Sequence, residues 1–142
     1  MKHRLALLGV VSFGLVFGSA AASAEDLTGA DKILCAGVQA TYCDTSGDCE
    51  IGMPWTWNMP HFVEIHLDDQ MMQTTDAAPR ARQTPIRTLE RAEGEIYVQG
   101  IENGRAFSIV IDEVSGVASI AIAADGLTVS VFGACTPLPE RD

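Results

Sequence analysis

Five short segments of alternating apolar residues follow one another between residues 86 and 135, and a tight-turn sequence separates each from the next. The segments are 86–91, 95–101, 105–112, 117–123 and 127–135. The pairs Asn103-Gly104 and Asp125-Gly126 are typical of two-residue hairpin turns, whose central residues need positive φ angles. Because short loops join only antiparallel neighbours, this half of the chain is predicted to be a β-meander.

Period-two alternation indicates which side chains of the meander face a core. The inward set is Phe107, Ile109 and Ile111, then Ala118, Ile120 and Ile122, then Leu127, Val129 and Val131. The opposite faces carry small or mildly apolar residues such as Ser119, Ala121 and Phe132, and are less polar than a solvent-facing side normally is. We therefore expect residues 61–74 to cover that outer side, as two strands (62–67 and 70–75) around an Asp68-Asp69 turn.

The remaining segments complete an all-β prediction. Residues 36–43 predict one more strand, 44–58 a structured loop with both tryptophans, and 76–85 an exposed connection with two prolines. We expect a small antiparallel β-meander of about six to eight strands, stapled by disulfides, that closes into a barrel or, as second choice, packs as a two-sheet sandwich. Both arrangements remove exposed strand edges.

The first 24 residues have the three parts of a secretory signal peptide. Lys2 and Arg4 precede an apolar stretch, and Ala22-Ser23-Ala24 is a small-residue cleavage site. The apolar stretch is too short for a transmembrane helix. We therefore expect residues 25–142 to be a single exported domain, periplasmic or extracellular, with no transmembrane segment after cleavage.

The charge of that domain excludes some partners. Cleavage removes two of the nine basic residues and none of the 19 acidic ones. Nucleic acids are bound mainly through basic patches, so a nucleic-acid partner is not expected. The acidic residues are spread along the chain, which favours a role in solubility.

The four cysteines, Cys35, Cys43, Cys49 and Cys135, are expected to form disulfides because an exported chain meets an oxidising compartment. Three pairings are possible. Cys43 and Cys49 flank a turn-forming insert, which favours a bond between them and leaves Cys35 to pair with Cys135. The spacings lack the close Cys-x-x-Cys pairs of zinc or redox sites.

Residues 53–72 concentrate methionine, histidine and tryptophan. Thioether and imidazole groups suit copper, so Met59, His61, His66 and Met71 are candidate copper ligands. His61 and His66 are five residues apart and would face opposite sides of one strand. If Asp68-Asp69 is a turn, His66 lies opposite Met71, and Met72 faces inward beside Ile65. The competing interpretation is that the methionines fill gaps in the core.

The aromatic residues of the same segment form a second candidate site. Trp55, Trp57 and Phe62 lie close to prolines, and clustered aromatic residues are common at interfaces. We expect them to contact a protein partner or a small-molecule ligand. The alternative is that the tryptophans form a lid over one end of the core.

Catalytic residues are not predicted. The sequence has no Gly-x-Ser-x-Gly motif, and its neighbouring carboxylates flank exposed turns. The leading hypothesis is therefore a small exported, non-enzymatic β-domain that binds a partner or ligand without a cofactor. The alternative hypothesis is copper binding through residues 53–72.

Overall fold

The computed structural model describes residues 26–139. The predicted signal peptide lies outside the described residues. Within them, no helix is long and apolar enough to cross a membrane. The strands are β1 (Lys32–Asp44), β2 (Cys49–Gly52), β3 (Phe62–His66), β4 (Met71–Thr74), β5 (Gln83–Ala92), β6 (Glu95–Glu102), β7 (Arg105–Asp112), β8 (Val117–Ala124) and β9 (Leu127–Pro137), with a 3₁₀ helix at Pro54–Trp57.

The strands form one closed antiparallel barrel. From β3 to β9 each strand pairs with the next, and the first part of β1 pairs with β3. The long strand β1 also pairs with β9 along its length, from Ile33 opposite Pro137 to Asp44 opposite Leu127. This pairing closes eight strands, β1 and β3 to β9, into a barrel, which decides between the two predicted architectures.

Strand β2 lies outside this closed ring and forms a hairpin with the last part of β1. The sequence interpretation of residues 44–58 as a loop was therefore incomplete, because the segment holds both β2 and the 3₁₀ helix. The short β2 was hidden because its four residues, Cys49–Gly52, have no clear alternation. The five strands predicted after residue 85 are confirmed, although β5 begins earlier, at Gln83.

The expectation that residues 61–74 cover the outer side of the meander was wrong. That segment forms β3 and β4 within the same barrel wall. Ser119 and Ala121 are exposed, and Phe132 is 58% exposed. The inward set is confirmed, because a barrel places one face of every strand around a common axis.

The two ends of the barrel are built differently. We call the end where β1 begins the lower end and the end where β1 finishes the upper end. At the lower end the segment before β1 plugs the barrel. The Leu27 side chain is 0% exposed, and its backbone N–H donates to the Glu113 carbonyl oxygen at 2.7 Å. Arg91 holds the same segment, because its guanidinium donates to the Ala30 carbonyl oxygen and lies 3.4 Å from the Glu113 carboxylate.

Both disulfides join directly opposed residues of paired strands. Cys35 and Cys135 lie opposite each other in β1 and β9, with Cα atoms 4.0 Å apart. Cys43 and Cys49 lie opposite each other in β1 and β2, with Cα atoms 4.2 Å apart. The predicted pairing is confirmed. The first bond fixes the seam that closes the barrel, and the second fixes the β1–β2 hairpin.

Truncation of the plug should destabilise the protein strongly. We expect Leu27→Ala to lower the free energy of unfolding by about 2 to 5 kcal/mol, because it leaves a cavity in the lower core. The control is Val114→Ala, an exposed residue at the same end, for which the change should stay within about 0.5 kcal/mol. Urea unfolding measures both, and equal effects would contradict the plug.

Removal of the two disulfides should have unequal effects. The Cys35→Ser/Cys135→Ser double variant should lose about 4 to 5 kcal/mol and the Cys43→Ser/Cys49→Ser variant about 2 to 3 kcal/mol, because the first bond closes the much longer loop. The separations are 100 and 6 residues. Urea unfolding of the two variants gives the order, and a larger loss for the short-loop variant would contradict this account.

Candidate functional site

The upper half of the barrel contains a cavity of about 140 Å³. In the lower half the inward residues Ile96 and Ile111 are completely buried. In the upper half the inward residues Phe107, Ile120 and Ile122 remain partly accessible. All three line the cavity, whose surface is almost entirely apolar. The upper half also contains a second buried cluster, Ala40, Val129 and Val131, so the cavity is a local gap in the packing.

Part of the cavity wall is formed by neighbouring residues with little or no side chain. Gly37 of β1 lies opposite Gly133 of β9, and Gly133 lies opposite Ala118 of β8. These three adjacent positions line the cavity. A larger residue would not fit at Gly133, where a Cβ would lie 2.4 Å from the Ala36 carbonyl oxygen.

The 3₁₀ helix forms a roof over the upper end. Pro54 is buried and packs against Gly37, where a Cβ would lie 2.9 Å from the Pro54 Cγ. The Trp57 ring stacks on Tyr42, with centroids 5.6 Å apart and planes 7° apart. It also covers Gly52 of β2, where a Cβ would lie 3.0 Å from the ring. Trp57 is therefore part of the roof.

The other two predicted interface aromatics lie on the outside of the roof. Trp55 is 44% exposed and Phe62 is 48% exposed. The Trp55 indole stacks on the His61 imidazole with ring centroids 4.1 Å apart. The structure thus separates the predicted set, since Trp57 packs inward while Trp55 and Phe62 remain on the surface.

The mouth of the cavity carries three charged residues, Arg82, Glu102 and Arg105. Glu102 and Arg105 lie opposite each other at the end of the β6–β7 hairpin. The Arg82 guanidinium is fixed against the roof, because its Nη2 donates to both the backbone oxygen and the Oδ1 of Asn58, each at 3.1 Å. The Arg82 contact ties the start of β5 to the loop that follows the 3₁₀ helix.

A groove of about 520 Å³ lies on the outer surface beside the mouth. One wall contains Trp55, His61 and Phe62, and the other is formed by the β4–β5 connection. Met59, Pro60 and Arg82 line both the groove and the cavity. These three residues, which we call the shared wall, lie between the two spaces, so the groove and the cavity are adjacent.

The four candidate copper ligands are not brought together. His66 lies opposite Met71, as predicted, and Met72 lies opposite Ile65 and packs against the core. His61 lies beyond the other end of β3, five residues or about 16 Å away along an extended chain. Met59 belongs to the shared wall.

The surroundings of His66 are carboxylates. Its Nε2 lies 3.1 Å from Glu64 Oε2, and its Nδ1 lies 3.9 Å from Asp69 Oδ2. Between residues 26 and 139, no group of three or more His, Cys, Asp or Glu residues is placed to hold a metal ion. Of the four candidate copper ligands, only His66 and Met71 lie opposite each other. Copper binding stays a prediction.

The groups with shifted pKa values lie on the surface, away from the mouth. Hydrogen bonds from the side chain and the backbone of Ser46 lower the pKa of Asp44, and Thr28 and Ser115 do the same for Asp26 and Asp112. A hydrogen bond to Glu95 raises the pKa of Tyr97. The three aspartates stabilise turns, because each accepts a hydrogen bond from a backbone N–H two or three residues further on.

The chain matches no protein-family model and no curated protein sequence.

Sequence reasoning missed the charged mouth and the row of small residues. Arg82 falls in a segment interpreted as an exposed connection, and Arg105 is the first residue of a strand assigned by alternation. The sequence pattern did place Ala118 and Gly133 on the inward faces of their strands, because they alternate in step with Ile120 and Val131. Their alignment with Gly37 depends on the β1–β9 register, which the sequence does not show.

The two tryptophans should respond differently to truncation. Trp57→Ala should lower the free energy of unfolding by about 2 to 3 kcal/mol, because it removes the packing over Tyr42 and Gly52. Trp55→Ala should change it by less than about 1 kcal/mol, since that ring is on the surface. Urea unfolding distinguishes them, and a larger effect at Trp55 would contradict the assignment of Trp57 to the roof.

Proposed function

We propose that this protein is an exported, non-enzymatic barrel that binds a small apolar ligand, or the apolar part of a larger one, in the cavity of its upper half. The observation that carries the proposal is the position of that cavity. It lies inside a closed eight-stranded barrel, has an almost entirely apolar lining and opens at a mouth with a few charged groups. Barrels of this size can hold one small ligand, and ligand sites typically combine an apolar wall with a few polar groups.

The energetic cost of the cavity supports a binding role. Apolar side chains that line an unfilled space lack packing partners on that side and lose dispersion contacts. A ligand that occupies the cavity restores the missing contacts and stabilises the folded state.

The volume defines the size of the enclosed group. A dry apolar cavity of about 150 Å³ in another protein binds benzene. The present cavity is of similar volume. We infer that the enclosed part of the ligand is about as large as a benzene ring or a six-carbon chain, with any remainder in the outer groove.

The proposed location of this activity is outside the cytosol. The signal-peptide pattern of the first 24 residues and the two disulfides favour export to the periplasm or the extracellular space. The excess of acidic residues favours solubility there.

A protein partner at Trp55 and Phe62 is the second candidate function, favoured by their exposure. Both residues also line the outer groove. Trp55→Ala should weaken a ligand that extends into the groove and should leave unchanged a ligand confined to the cavity. If Trp55 contacts only a protein partner, Trp55→Ala should weaken the binding of neither ligand.

Binding to the cavity can be tested with N-phenyl-1-naphthylamine, a neutral probe whose phenyl ring is the size of the proposed enclosed group. We expect saturable fluorescence enhancement with one site per protein. Ile120→Trp, which fills the cavity, should weaken binding at least tenfold. Ala121→Trp places the same side chain on the exposed face of the same strand and should leave binding unchanged.

Two further measurements make the result decisive. Thermal unfolding shows whether Ile120→Trp is folded, since overpacking costs about 1 to 3 kcal/mol. Ala118→Leu provides a second filling variant at the row of small residues. Lack of saturable probe binding by the folded protein, or equal loss in both tryptophan variants, would contradict the proposed function.

A further inference from the structure

We propose that the ligand is an anionic amphiphile, a carboxylic acid with an alkyl chain or aromatic ring, whose carboxylate is held at the mouth by Arg82. This inference rests on the proposed function, because it assigns the polar end of a ligand whose apolar end occupies the cavity. It follows from the position of Arg82 and from the charge around the mouth.

The Arg82 guanidinium is positioned for a further partner. Both of its side-chain hydrogen bonds come from Nη2 and go to Asn58. The Nε and Nη1 groups donate to no residue in the part of the chain that the structure describes. Nε–H and the Nη1–H groups point in different directions, so each can donate a single charge-assisted hydrogen bond to one carboxylate oxygen. The contacts to Asn58 therefore hold the side chain in place while these donors stay available.

The charge around the cavity differs from that of the whole chain. Acidic residues outnumber basic ones 19 to 9 in the sequence, yet the cavity lining contains two arginines and one glutamate. Glu102 lies opposite Arg105 on one hairpin and offsets its charge. The net positive charge of the mouth is therefore that of Arg82, which favours an anionic over a cationic ligand.

The position of Arg82 also determines how the ligand lies. Because Arg82 lines both the cavity and the outer groove, a carboxylate bound to it lies at the shared wall. The apolar chain then points down into the barrel between Phe107 and Ile120, away from water. Any additional substituent near the carboxylate has access to the groove beside Trp55.

The chemical class can be tested with three probes that share one chain and differ in charge. Octanoate, 1-octanol and octylammonium are used to displace N-phenyl-1-naphthylamine at pH 7 and low salt. We expect octanoate to bind at least tenfold more tightly than octanol, and octylammonium to bind most weakly. Added salt should weaken octanoate and leave octanol nearly unchanged, because the mouth is partly exposed.

Substitutions at Arg82 separate charge from general packing. Arg82→Gln should weaken octanoate about tenfold and leave octanol unchanged. Arg82→Lys keeps the charge but not the contacts of the guanidinium to Asn58, so its octanoate affinity should fall between those of the original protein and Arg82→Gln. Arg87→Gln changes the same residue type on β5 at an exposed position outside the cavity lining and should have no effect. If Arg82→Gln acts instead by loosening the roof, it should weaken the binding of octanol and octanoate equally.

The outcomes distinguish the two proposals. If octanol and the naphthylamine bind while octanoate binds no more tightly than octanol, the anionic class is wrong and the apolar cavity remains. Equal loss of octanol and octanoate in Arg82→Gln would also overturn the assignment of the carboxylate to Arg82. If none of the probes binds to the folded protein, the proposed function itself fails.

Discussion

The pairing of β1 with β9 is the constraint on which the rest of the barrel depends. It places Cys35 opposite Cys135 across 100 residues of sequence and removes the edges that both strands would otherwise expose. Bringing such distant segments together costs chain entropy, and a disulfide reduces that cost by restricting the unfolded chain. The disulfide therefore joins two strands that are far apart in the sequence.

The same seam forms one side of the cavity wall. At the seam the backbones of β1 and β9 approach so closely that Gly133 has no room for a Cβ beside the Ala36 carbonyl oxygen, and the Pro54 ring occupies the space above Gly37. Ala118 extends this row of small residues to β8. The lower end is filled by Leu27 and branched aliphatic residues. The seam therefore contributes residues with little or no side chain to the cavity wall, and the roof limits access to the cavity.

Three separate segments of the chain contribute the polar residues at the mouth. Arg82 immediately precedes β5, Arg105 comes from the β6–β7 hairpin, and Asn58 comes from the loop after the 3₁₀ helix. No local pattern links them, so the sequence suggested instead that the functional residues lie within 53–72. The structure divides that segment between roof, groove and barrel wall, which separates His61 from His66 and Trp57 from Trp55.

The sequence alone determined the strands after residue 85, the hairpin turns, the inward faces and the two disulfides, because each depends on neighbouring residues, on two-residue periodicity or on the few pairings that four cysteines allow. Only the tertiary structure decided that the meander closes, that Gly37, Gly133 and Ala118 are neighbours across three strands, and that Arg82 reaches the mouth. Register between strands a hundred residues apart depends on the sum of contacts around the whole barrel, and the volume left inside depends on all eight strands at once.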